Sequence, residues 1–221
     1  GVVDVRILKN SLTPETVLVS VMYGNNEIGT VQPLSEISEV IAEFRKKIGS
    51  LSYPFLHTDA AQAGAYLNCN VSALGVDMLT LSSQKLYGPK GVGALCLAPS
   101  IFCVPTFGKV VRKPAIAPVL FGGGQEGGLR SGTENVAGIV GFAKALQIAV
   151  SMQKKEVPRL RELKEYFIKK LRVVLPAAHV VASSSKNLSL PHIVCVSFSG
   201  EQMAQDILTR LDLAGIAASS G

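Results

Sequence analysis

The sequence predicts an α/β fold built on a largely parallel sheet. Three observations carry that prediction. Apolar runs of strand length alternate with segments of helical periodicity. The first run, residues 16–22 (TVLVSVM), is β-branched and uninterrupted, as in strands buried on both faces. And 221 residues, 48% hydrophobic and 17% charged, can bury a sizeable core without a metal or a disulfide framework.

The elements follow in order. After the first strand comes a loop over 23–33, then a helix from Ser35, its N-cap, with Ile37, Ile41, Phe44 and Ile48 on one face and Gly49 at its end. A short strand at 55–58, a small-residue segment at 60–65 and a strand at 76–81 come next, then another strand at 93–97. Residues 99–118 lack periodicity and are expected to form a loop-rich insertion. Beyond the glycine-dense segment 121–132, one helix is expected over about 135–150 and a second, basic one over about 154–174. A strand at 193–198 and a helix at 201–213 would open a smaller α+β unit. The expected division is a large domain over 1–150 and a connecting helix with part of a small domain over 151–221. The chain opens on Gly1 and stops at Ser219-Ser220-Gly221, so a piece of a longer protein is expected, cut at both ends.

Net charge is +6, yet eight Lys or Arg against three Glu fall between Lys154 and Arg172. There Val157, Leu160, Leu163, Phe167, Leu171 and Val174 recur at helical spacing, which leaves the bases on a solvated face rather than on a nucleic-acid patch. Aromatic residues for stacking single strands are few nearby. Cys69, Cys96, Cys103 and Cys195 form no CxxC pair and have no His at ligand spacing, so they are expected to be reduced thiols, with no metal site. The longest apolar stretch, 136–150, is broken by Lys144 and is short for a membrane span. No signal peptide is visible.

Ligands of open parallel sheets sit beyond the carboxyl ends of the strands. Asn25-Asn26-Glu27, Asp59 and Ser82-Ser83-Gln84-Lys85 all fall there. A lysine just past an apolar strand can be desolvated and free to form a Schiff base, and an Asp at a neighbouring strand end suits a pyridinium nitrogen. Taken singly, each reads better as a surface lysine or a capping Asp, by about two to one.

Five ordered motifs go further: 25–29 (NNEIG), 57–62 (HTDAAQ), 82–91 (SSQKLYGPKG), 122–126 (GGGQE) and 130–135 (RSGTEN). Together they resemble the cysteine desulfurase and selenocysteine lyase family, pyridoxal-phosphate enzymes of the aspartate aminotransferase fold. The resemblance runs from about Val17 to the last residue. It implies Lys85 as the Schiff-base lysine, Asp59 as partner of the pyridine nitrogen, Gln62 as donor to the ring hydroxyl oxygen, and Asn26 beside the ring within reach of the substrate carboxylate. Ser82 and Gln84 would donate to the phosphate. Thr133 would reach the phosphate of a neighbouring subunit, which implies a homodimer. Thr133 also lies just ahead of a helix, where free N–H groups favour an anion, although Ser131 and Glu134 stand in capping-box spacing. One departure is Gln84, where the family usually has His: an amide still donates to a phosphate oxygen but carries no charge.

The implied reaction removes sulfur from L-cysteine, or selenium from L-selenocysteine, leaving alanine, with Lys85 as proton-shuttling base and an acceptor protein taking the sulfur or selenium. Gln125 in place of the His of many desulfurases leans toward the lyases. The family's attacking cysteine follows a Ser-Ser-Gly-Ser-like segment, and none of the four cysteines here holds that position, so this stretch alone is expected to be inactive. Alternatives are another pyridoxal-phosphate enzyme of the same fold, an aminotransferase or kynureninase-like hydrolase, or a non-catalytic relative. A cytoplasmic location is expected, with the mitochondrial matrix as the alternative, and no membrane or nucleic-acid partner. Residues 122–127 match GxGxxG, but no strand turns directly into a helix there and no acidic ribose partner follows. His192 and Cys195 are assigned to core packing.

Overall fold

The computed structural model describes residues 1–102, 104–106, 109–111, 115–181, 188–198 and 204–220. A helix absent from the sequence reading comes first: α1 (Val5–Ser11), capped by the Asp4 carboxylate on the N–H groups of Arg6 and Ile7. Then follow β1 (Leu18–Met22), α2 (Leu34–Lys47), β2 (Phe55–Asp59), the single turn α3 (Val71–Leu74), β3 (Met78–Ser82) and β4 (Gly93–Leu97). The four strands form one sheet in chain order, with β1, β2 and β3 parallel and β4 antiparallel on the edge of β3. The α/β class holds, and a hairpin-like return accounts for the one antiparallel pair.

Side chains alternate across the sheet, so one face carries Val19, Val21, Leu56, Leu79, Leu81, Ala94 and Cys96. Leu34, Ile37 and Ile41 of α2 close over it, with spacing that keeps one helix face inward. On the opposite face, Phe55, Met78 and Ile101 pack with Tyr53, Leu97, Ala115 and Ile116 at the amino ends of the parallel strands. Leu18 and Leu95 on that face stay about half exposed, so β1 is not buried on both sides as its composition predicts: among the described residues, the cover stops short of it. Leu79, fully enclosed at the centre of the covered face, should lose about 3 kcal/mol on Leu79→Ala, read as a lowered urea midpoint with an unchanged slope.

The insertion beyond residue 99 is more ordered than expected. A 3-10 turn (Pro99–Phe102) precedes an antiparallel hairpin of β5 (Val104–Thr106) and β6 (Lys109–Val111). Instead of two helices, a single one, α4, runs Val136–Val174 straight through Pro158. Contacts carry it across the expected break: Gln153 donates to the Leu67 carbonyl at 3.0 Å, and Met152, Glu156 and Leu160 continue one lining face. Phe142, Leu146 and Ala149 dock its first half on the covered side of the sheet. By length and composition α4 would also suit a membrane span; Phe142, Leu146 and Ala149 dock on the core, while Val136, Val140, Ile148 and Val150 stay exposed. A small unit follows, with β7 (His179–Val180) antiparallel to β8 (Val196–Ser197) and then α5 (Ala204–Leu213).

Candidate active site

The strand register puts Met22 of β1 and Thr80 of β3 on either side of Asp59, the last residue of β2. The Asp59 carboxylate accepts the Ala61 N–H at 2.8 Å, and both Asp59 and Gln62 are half-buried where the chain turns back under the sheet. One strand over, β3 ends at Ser82 and passes directly into a 3-10 turn, Ser83–Leu86. Ser83 and Leu86 face the core and are fully buried, which throws Gln84 and Lys85 outward. Tyr87 leaves the turn with a left-handed φ of 62°, and Gly88 follows because a Cβ there would strike Ser83 Oγ and the Ala145 methyl of α4. The Lys85 side chain is exposed rather than desolvated as expected, since the turn carries it past the strand end.

Ser82 caps that turn without a side-chain capping bond. Asn26 stands exposed on the same edge of the sheet, in a turn braced by Asn25, whose Oδ1 accepts the N–H groups of Glu27 and Ile28 at 2.9 Å each. Thr133 is exposed in a separate loop ahead of α4. The capping box expected from Ser131 and Glu134 is not what caps α4: Asn135 does, accepting the Gly138 N–H at 3.0 Å, while Ser131 Oγ accepts the Gly124 N–H at 3.3 Å. The structure thus gathers Asp59, Gln62, Ser82, Gln84 and Lys85 at the ends of β2 and β3, with Asn26 beyond β1.

Sequence reasoning missed a residue on this face. His57, two positions before Asp59 and so on the same side of β2, bridges Ser20 Oγ (2.8 Å from Nδ1) and Thr80 Oγ1 (2.9 Å from Nε2) across three strands. Burial holds its imidazole below the usual histidine range, against a smaller opposing pull from Asp59. A neutral ring with a hydroxyl on each nitrogen fixes the strands that aim Asp59. Its spacing from Asp59 was the available signal.

Behind the lysine turn, Tyr66 stacks on His192 with ring centroids 4.0 Å apart. Burial, then the ammonium groups of Lys164 and Lys85, push the His192 imidazole down to about 4. An unfolded chain takes up that proton near 6.5 and the native state does not, so this contribution to stability is intact above pH 6.5 and lost as pH falls from there toward 4. The expected loss is roughly 2 kcal/mol, allowing for the ring's partial exposure. His192→Phe should remove that portion of the acid slope in denaturation followed against pH. Cys69, pushed up to about 12 by burial and secondarily by Cys96, is no nucleophile at neutral pH. Cys103 lies outside the described residues, as does Gly221. Among the described residues no cluster of His, Cys, Asp or Glu could hold a metal.

The donor set has three chemically distinct parts: a carboxylate suited to a protonated ring nitrogen, an amine suited to a carbonyl carbon, and hydroxyl and amide donors suited to an anion. The family model that matches residues 1–221 is aminotransferase class-V. The chain is 39% identical over its full length to a cysteine desulfurase IscS of Dictyoglomus turgidum, covering 50% of that protein. It is 39% identical to a cysteine desulfurase IscS 1 of Archaeoglobus fulgidus, again along its full length, covering 51% of that one. In fold it is similar to a NifS-like protein from Rickettsia africae, with a TM-score of 0.81 and 31% identity over 100% of this chain and 55% of the other. The chain therefore spans about half the length of the curated relatives it matches.

Proposed function

This chain belongs to the aminotransferase class-V family, which depends on pyridoxal phosphate, and we propose that it is part of a cysteine desulfurase that releases sulfur from L-cysteine and leaves L-alanine. The observation that carries this reading is the pairing of Asp59 and Lys85 at the ends of adjacent parallel strands, with hydroxyl and amide donors beside them. The residues present fit the cofactor. Ser82 has a hydroxyl not spent on capping, Gln84 and Lys85 are turned outward together, and Asp59 keeps one carboxylate oxygen clear of its bond to Ala61.

When bound, pyridoxal phosphate supplies an electron sink beside the amino-acid Cα. Lys85 would hold it covalently through its amine, and the same amine, when free, would move a proton at the substrate Cα. Asp59 keeps the ring nitrogen protonated, a charge-assisted bond that its half-buried position strengthens. Gln62 donates to the ring oxygen, Ser82 and Gln84 donate to the phosphate, and Asn26 orients the substrate carboxylate. Exposed apolar side chains of Val119, Leu120, Phe121, Val136 and Val140 flank the loop of Thr133, which supports a homodimer in which Thr133 reaches the neighbouring site. A thiolate of the whole protein would attack the substrate sulfur, forming an S–S bond as the Cβ–S bond breaks, and the persulfide would pass its outer sulfur to an acceptor protein; the resemblance gives that thiolate role to none of Cys69, Cys96 and Cys195.

Gln84 donates one neutral bond where a protonated imidazole would add charge. Gln84→His should therefore tighten cofactor binding, by about threefold, in equilibrium titration of the apoenzyme. Unchanged affinity would count against phosphate contact by residue 84. The function itself is tested by supplying the holoenzyme with L-cysteine or L-selenocysteine and analysing the products. Alanine from cysteine supports the desulfurase, and alanine from selenocysteine alone points to the lyase. A keto acid in its place indicates an aminotransferase, and no product with either substrate refutes the reading.

A further inference from the structure

Lys85 depends on a turn only four residues long, and that turn is held from behind by groups outside the donor set. Leu86 is buried in the core, and Tyr87, next in the chain, sits in the left-handed region, where a non-glycine residue needs outside support. Its hydroxyl lies 3.3 Å from the Tyr66 hydroxyl. Tyr66 belongs to the segment that begins at Asp59, and its ring is stacked on His192. His192 in turn lies on the stretch that leads to β8 of the small unit. That stretch is fastened to α4 by Lys164, whose ammonium donates to Ser189 Oγ at 2.6 Å and to the Leu190 carbonyl at 2.9 Å. Beneath the two tyrosines, a cavity of about 260 Å³ lined by Leu86, Ile148, Met152 and Leu160 leaves the turn without continuous packing on that side.

We propose that Tyr66 stacked on His192, with Tyr87 joined to Tyr66 through their hydroxyls, forms a positioning stack that ties the Lys85 turn to the small unit and sets the amine's approach to the cofactor carbonyl. The inference rests on the desulfurase reading for the role of Lys85, but on geometry for the stack. Two of its members are joined to different parts of the fold, so the lysine turn moves with the segment 189–192 rather than independently of it. His192 is the positioning residue: its Nδ1 is buried with no hydrogen-bond partner, so that nitrogen does not hold the ring, and stacking on Tyr66 does. A ring of similar size without nitrogens should therefore replace it.

The test uses the full-length apoenzyme, reconstituted with pyridoxal phosphate and followed by the visible absorbance of the lysine-bound cofactor, with kcat and KM for cysteine measured separately. His192→Ala should slow reconstitution about tenfold and lower kcat with KM nearly unchanged, and His192→Phe should restore both to within about twofold. Tyr66→Phe, which keeps the ring and loses only the hydroxyl bond to Tyr87, should give about a threefold slowing and carries the test if His192→Ala does not fold. Wild-type rates in folded His192→Ala, or in Tyr66→Phe where His192→Ala fails to fold, would overturn the stack, as would His192→Phe as slow as His192→Ala. A wild-type protein that develops no such absorbance overturns the desulfurase reading instead, and the two failures are told apart by that control.

Discussion

Lys85→Ala in the holoenzyme should abolish the visible absorbance of bound cofactor and lower alanine formation at least about a thousandfold, with the fold intact. The expectation follows from position. Ser83 and Leu86 hold the 3-10 turn in the core, and the Lys85 side chain projects outward, so its removal leaves no packing defect. What is lost is the only amine of the turn, next to the strand end that carries Asp59. Lys90 is also exposed, but it lies beyond Gly88 and Pro89 and off the turn, so it should not substitute. Circular dichroism and thermal midpoint should stay near wild type while absorbance and activity disappear. Retained activity in Lys85→Ala would remove the lysine from the mechanism.

Asp77→Ala should be the most destabilising single change among the described polar residues, by about 3–5 kcal/mol. Asp77 is buried and its carboxylate is engaged on both oxygens. Oδ2 accepts the Leu56 N–H at 2.8 Å and pairs with Arg45, while Oδ1 accepts Ser100 Oγ at 2.7 Å. Arg45 also donates to the Pro54 carbonyl, so one carboxylate joins the end of α2, the start of β2, the entry to β3 and the 3-10 turn after β4. Truncation leaves the Leu56 amide without its acceptor and a half-buried guanidinium without its counter-charge, and both penalties fall in the interior. Replacing the pair together, Arg45→Met with Asp77→Leu, should cost less than Asp77→Ala alone, because no charge is then stranded. Urea denaturation decides it: a loss below about 1 kcal/mol for Asp77→Ala would show that the network carries little.

The sequence was most informative where one physical signal dominated. Apolar β-branched composition marked β1 and the helical spacing of Ile37 and Ile41 marked α2, because each reports burial against the same core. The position of Asp59 at a strand end and of Lys85 just past one was legible from the alternation of strands and helices, while the roles given to them came from the resemblance of the five motifs. The continuity of α4 was not legible: the switch from apolar to basic composition near residue 151 resembles a boundary, yet Gln153 is bonded to the Leu67 carbonyl, and Met152 and Leu160 line one cavity with residues of the segment 65–87. The hairpin of β5 and β6 was hidden by Pro105, which reads as a loop residue but is tolerated in a short two-stranded ribbon. The cap of α4 by Asn135 displaced a capping box with good spacing, since Ser131 Oγ and Gln125 are drawn into the glycine segment, Gln125 accepting the Gly132 N–H at 3.0 Å. The spacing of His57 from Asp59 placed it on the site's face, but its bridging role and the stacking of His192 were not legible, because their partners, Ser20, Thr80 and Tyr66, lie far away in sequence.

The central claim is that Lys85 is the residue that holds the cofactor. Borohydride reduction of the holoenzyme converts a lysine–pyridoxal linkage to a stable amine, and peptide mass spectrometry then locates it. The label is expected on the peptide containing Lys85 and nowhere else. Label on Lys90, Lys164 or another lysine, or a holoenzyme that takes no label at all, would contradict the account.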